Sequence, residues 1–133
     1  MTATKRLGIW MNHSIAHLME FETKIKTRIV ESDFNALDRG LSLSKGENLM
    51  HNKEQQKHAE YYKKLGAVIR NYDEVLLFGP TDAKVELYNI LKDDHLFAKI
   101  KFDVKQADKM TVHQEHSFVR DHFAPHKFHL HAL

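Results

Sequence analysis

Asp73-Glu-Val-Leu-Leu-Phe-Gly-Pro-Thr-Asp-Ala-Lys84 is the stretch on which the fold turns. Val75 to Phe78 are four apolar residues in a row with no polar alternation, the pattern of a strand covered on both faces and parallel to its neighbours. The run ends abruptly at Gly79-Pro80. Thr81 and Asp82 then supply helix-start chemistry, with Asp82 suited to the positive end of a helix dipole. Ala83, Leu87, Ile90 and Leu91 share one face of the helix that follows, which stops at Lys92-Asp93-Asp94. A buried strand feeding a helix through a tight turn is one unit of an α/β sheet.

Upstream, Lys5–Met11 and Ile15–Glu22 are apolar segments joined by the polar triplet Asn12-His13-Ser14. They read as a hairpin inside a sheet covered on both faces. The triplet also fits the glycosylation sequon, but a turn is the better reading where nothing signals secretion. Lys24–Ser32 alternates Ile25, Thr27 and Ile29 with Lys24, Lys26 and Arg28, as expected of a strand nearer an edge with one wet face. Asp33 to about Asn52 is a long polar loop. From about Asn52 to Asn71 the period becomes helical, with Ala59, Tyr62, Gly66 and Ile69 on one stripe.

Downstream, Ala98–Lys105 alternates as a strand through Ile100, Phe102 and Val104. Thr111–Phe123 places Val112, His116, Val119 and Phe123 on one helical stripe. The order βββ-α-β-α-β-α predicts a mixed five-stranded sheet with helices on both faces. A domain is expected over residues 1–123, followed by a histidine-rich tail over 124–133. There Phe128, Leu130 and Ala132 alternate at strand spacing, which predicts a tail packed in a homodimer interface with His129 and His131 near its rim.

The composition narrows the possibilities. The chain has 133 residues, 42% hydrophobic and 29% charged, as in a soluble globular domain. No apolar run nears the roughly 20 residues that span a bilayer. The opening residues lack the apolar stretch of a secretory signal, so a cytoplasmic protein is expected. With no cysteine there is no disulfide, thiol nucleophile or thiolate metal site. A net charge of +2 does not by itself argue for nucleic acid. Eleven histidines are the oddity, six of them from His113 onward.

Two motifs carry a resemblance. Leu7-Gly-Ile-Trp-Met-Asn-His-Ser-Ile-Ala-His-Leu-Met-Glu-Phe21 and Val75-Leu-Leu-Phe-Gly-Pro-Thr-Asp-Ala-Lys84 resemble the middle domain of the eukaryotic and archaeal class-1 peptide-release factors, shared by the ribosome-rescue factor Pelota. The Gly-Pro-x-x-Ala-Lys form of the second motif is closer still to small bacterial stand-alone members labelled translation-machinery or host-attachment proteins. The likeness runs from about Arg6 to Phe123 and implies an RNase H-like three-layer α/β sandwich. In release factors the loop before the first helix carries Gly-Gly-Gln, which enters the peptidyl-transferase centre. Here that interval reads Leu37-Asp-Arg-Gly-Leu-Ser-Leu-Ser-Lys-Gly-Glu-Asn48, without it. Peptide release in the family's manner is not expected, and fold alone does not carry function.

Several sites compete. A two-metal nuclease needs converging carboxylates, and the first strand offers Gly8, Trp10 and Asn12 instead. Gly79, Pro80, Thr81 and Asp82 form a turn where α/β folds bind ligands, but it lacks the glycines of a phosphate loop and Asp82 would repel an anion. Lys84 is a candidate surface phosphate contact. His126, His129 and His131 are weak zinc or nickel ligands, and adventitious capture is the better reading, so no cofactor is expected. The leading expectation is a non-catalytic translation-associated protein that binds RNA or the ribosome. Its contact surface would be Arg39 and Lys45 in the loop with Lys53 and Lys57 of the helix. The alternatives are a homo-oligomerising interaction module without a nucleic-acid partner and, third, a metal-dependent hydrolase.

Overall fold

The computed structural model describes residues 4–21, 25–31 and 47–124, and side chains in the last of these segments from residue 58 on. Among these residues, five strands and three helices follow the expected order: β1 (Arg6–Met11), β2 (Ile15–Phe21), β3 (Ile25–Glu31), α1 (Glu47–Ile69), β4 (Glu74–Gly79), α2 (Ala83–Lys92), β5 (Lys101–Gln106) and α3 (Val112–Phe123). The sheet order is β3-β2-β1-β4-β5. β1, β2 and β3 pair antiparallel, while β1, β4 and β5 run parallel.

The apolar run Val75–Phe78 lies in the sheet interior between β1 and β5, fully buried. Its residues alternate between two cores. Val75 and Leu77 join Leu7, Ile9, Met11 and Leu18 against Tyr61, Leu65 and Ile69 of α1 and Leu87 and Leu91 of α2. Leu76 and Phe78 join Trp10 and Met19 on the other face, against Val119 and Phe123 of α3. The result is three layers, two helices on one side of the sheet and one on the other. Lack of alternation in β1 and β4 follows from this double coverage.

The hairpin triplet is a turn built on Asn12, whose Oδ1 accepts the backbone N–H groups of Ser14 at 2.8 Å and Ile15 at 2.9 Å. Such an Asx turn is what asparagine offers a short connection.

Several expectations need correction. α1 begins at Glu47, within the interval read as loop. Its buried face is Tyr61, Tyr62, Leu65, Gly66 and Ile69, so of the expected stripe only Ala59 is exposed. β5 begins at Lys101, because Asp94 caps a short 3-10 turn, His95–Phe97, by accepting from Leu96 N at 2.9 Å. β3 is an edge strand as expected, but both of its faces are wet: Ile29 is 60% exposed. In α3 the buried stripe is Glu115, Val119 and Phe123, whereas Val112 is 53% exposed.

That last shift seats a carboxylate in the core. Glu115 is 2% exposed and pairs with His17 Nδ1 at 2.8 Å, and the His17 ring stacks on Trp10 with 5.3 Å between centroids. His116, expected on the buried stripe, is half-buried beside the edge strand and hydrogen-bonds Thr27 Oγ1 at 2.9 Å. A capping box at Thr111 and Gln114 fixes where α3 starts and so which of its residues face the sheet.

Candidate functional site

Parallel strands β1 and β4 end side by side, and open α/β sheets bind ligands beyond such ends. The turn after β4 is built for closeness. Gly79 has φ +151, and a Cβ there would lie 2.1 Å from the carbonyl oxygen of Met11. Thr81 Oγ1 accepts from Ala83 N at 3.3 Å. Asp82 occupies the N-cap position of α2 but its side chain makes no capping hydrogen bond, so the acidic cap expected from the sequence is not formed.

Lys84 is not a surface contact. It is 3% exposed, and its ammonium group donates to the Thr81 carbonyl and to Gln106 Oε1, the latter at 2.9 Å. Gln106 in turn donates to the Pro80 carbonyl at 3.2 Å. The lysine therefore ties the turn to the end of β5, and a buried ammonium needs such partners. It is unavailable to a phosphate.

Beside this turn lies a cluster that the sequence reading missed. Glu86, one helical turn into α2, accepts from Tyr62 OH at 2.6 Å through Oε1 and from His13 Nε2 at 3.2 Å through Oε2. The His13 ring stacks on His58 with 5.5 Å between centroids, and Tyr61 OH donates to the Asn12 carbonyl at 3.0 Å. One carboxylate thus joins the β1–β2 turn, α1 and α2 at the end of the sheet where open α/β folds bind ligands. Partial burial pushes the Glu86 carboxyl up. The hydrogen bonds from Tyr62 and His13, helped by the charges of His13 and His58, outweigh this and hold it below the ordinary glutamate range. Burial, then the bond to Glu86, pushes the Tyr62 phenol well above its usual range, and burial does the same to Tyr61. Neither phenol is poised as a base near neutral pH.

The cluster binds three elements together. Among the described residues no group of three or more histidine, aspartate or glutamate side chains converges as metal ligands do. The only sequence signal for it was indirect: a histidine in a tight turn and a glutamate one turn into a helix.

Tyr62→Phe should destabilise the protein by about 1 kcal/mol, the net worth of one hydrogen bond to a half-exposed carboxylate. Because Glu86 titrates low in the folded state, its contribution is present above the ordinary glutamate range and is lost as pH falls through the folded value. The gap between wild type and Tyr62→Phe in urea unfolding should therefore narrow in acid. A gap that is the same at neutral and acid pH would contradict this assignment.

Lys53 and Lys57 lie on the first half of α1, and their side chains fall outside the described residues. Arg39, Lys45, His126, His129 and His131, and with them the expected tail interface, lie outside as well.

No protein-family model matches the sequence, and no curated protein matches it. Solved structures do. Pelota of Archaeoglobus fulgidus aligns over 92% of this chain with a TM-score of 0.59 and 8% identity. Pelota of Thermoplasma acidophilum aligns over 87% with a TM-score of 0.55 and 14% identity. The archaeal translation termination factor aRF1 aligns over 96% with a TM-score of 0.56 and 14% identity. This chain spans 32% of the length of each Pelota chain and 41% of aRF1. The resemblance read from the two motifs therefore holds for the fold.

Proposed function

We propose that the protein is a translation-associated factor that binds RNA or the ribosome without releasing peptide. The observation that supports it most is the match of nearly the whole chain to the fold of a translation termination factor. The missing Gly-Gly-Gln between residues 33 and 52 separates it from the release reaction. The proposed contact surface is Arg39 and Lys45 with Lys53 and Lys57 at the start of α1. Lys84, being buried, has no part in it. A cytoplasmic location goes with this role, and no helix among the described residues is long and apolar enough to cross a membrane.

Co-sedimentation of the purified protein with ribosomes at low and moderate salt is the direct test. Lys45→Glu combined with Lys53→Glu should weaken binding to all RNA sequences alike and flatten the log-log salt dependence by about one or two units. Unchanged affinity in the double variant would remove this surface. In the same assay stalled ribosomes should keep their labelled peptide, and release by the protein alone would overturn the non-catalytic reading.

A further inference from the structure

Next to the turn cluster, and sharing Tyr62 with it, α1, α2 and the 3-10 turn enclose a groove of about 440 Å³. Its floor is Gly66, Leu91 and Phe97, and its α1 wall includes the exposed small residues Ala59 and Ala67. Ile90 and Leu96 stand along the opposite wall at 53% and 50% exposure. They are two of the five large hydrophobic side chains most exposed among the described residues. Such residues scattered singly need no explanation, but two flanking an apolar groove mark an interaction surface.

The charges around the groove indicate what fills it. Lys63 and Arg70 lie on the α1 wall, and neither has an ion-pair partner among the described residues. Asp94 lies on the opposite wall, with the exposed Asp93 next to it at the end of α2. Even with the exposed Lys92 before them, the two aspartates leave this wall acidic against the basic α1 wall, and the more prominent apolar side chains stand on the acidic one. A surface of this kind is complementary to itself under a two-fold rotation. Each copy's Ile90–Leu96 ridge enters the other's groove, and each acidic wall meets the other's basic wall. The net charge of +2 sets up little general repulsion against it.

We propose that this groove is the docking surface for a second copy of the chain, giving a two-fold dimer in which Leu96 and Ile90 fill the partner's groove. None of the residues lining this groove belongs to the C-terminal tail.

Light scattering on the full chain at micromolar concentration tests it. The wild type should have the mass of two chains and Leu96→Glu the mass of one. Leu96 is half exposed and gives only its backbone N–H to the Asp94 cap, so the far-ultraviolet circular dichroism of that variant should match wild type. Two charge variants make the test specific: Lys63→Glu with Arg70→Glu, and Asp93→Lys with Asp94→Asn, in which asparagine keeps the cap. Each alone sets like charges against each other and should be monomeric. Mixed in equal amounts they restore both pairings and should recover the two-chain mass. A monomeric wild type would overturn the proposal. So would a dimer indifferent to Leu96→Glu, as one held by the tail would be, or a charge-variant mixture that stays monomeric.

Discussion

Gly79→Ala is expected to abolish stable folding. The added methyl carbon would sit 2.1 Å from the Met11 carbonyl oxygen and 3.2 Å from two further backbone atoms of that residue. What it meets is backbone, so no rotamer change can clear it. Met11 ends β1, whose ladders to β2 and β4 would have to part for the chain to yield. The φ of +151 adds strain of its own, since side-chain-bearing residues rarely adopt it. The Gly79 carbonyl also accepts from Ala107 N at 3.1 Å, so moving the turn outward costs the attachment of the chain after β5. A loss of about 4 kcal/mol or more is expected, the size seen when strain and packing fail together. Set against the roughly 5–15 kcal/mol that stabilises most domains, this leaves little or nothing.

Gly66→Ala is the matched control. Its Cβ would meet the end of the Leu91 side chain at 3.4 Å, an ordinary contact inside a helix. It should change stability by no more than about 1 kcal/mol, the size of the Gly-to-Ala difference in a helix. Urea unfolding followed by circular dichroism separates the two outcomes. A Gly79→Ala protein that unfolds at the wild-type urea concentration would show that the turn does not hold β1 and β4 as described.

What the sequence disclosed about this fold divides along a physical line. Val75–Phe78 was legible because a strand covered on both faces must be apolar at every position, and few other arrangements tolerate that. The first two strands were legible as apolar segments around a polar turn triplet, and the third by its period of two; neither signal depends on partners far along the chain. The faces of α1 and α3 were less so. Ala59 fits an apolar stripe by type, yet it is exposed on the wall of the groove. Glu115 belongs to no apolar stripe, and its burial depends on His17, ninety-eight residues earlier. The Glu86 cluster was hidden for the same reason, since it joins three segments that nothing in local sequence brings together. Lys84 looked like a surface cation because a helix lysine after a turn usually is one. Only the placement of Gln106, at the end of another strand, provides the partner that allows its burial.

Taking away the partner of the buried acid in the second core should cost nearly as much as the Gly79 change, and for an electrostatic reason. Glu115 is 2% exposed, and the His17 side chain only 18%. Taking a carboxylate and an imidazole out of water is expensive, and each offsets the other's loss through their 2.8 Å contact. His17→Ala strips Glu115 of that partner in the core and opens a cavity beneath the Trp10 ring. Breaking one side of a buried pair in this way costs on the order of 3–5 kcal/mol. Glu115→Ala should cost less than His17→Ala, because the less buried histidine it leaves behind can still reach water. The pair itself need not be net stabilising. Replacing both partners by apolar residues of similar size, Glu115→Met with His17→Leu, removes the desolvation cost along with the attraction. That double variant should be more stable than His17→Ala by several kcal/mol and within about 2 kcal/mol of wild type. The same urea experiment reads all four proteins. If the double variant instead falls as far as the sum of the single losses, packing of the two side chains and not their charge pairing governs this part of the core. The distinction bears on specificity as well as stability. An apolar α3 could slide along the sheet by a turn, whereas Glu115 fits only where His17 is, and that match sets Val119 over Gly8, where a Cβ would lie 2.3 Å from it.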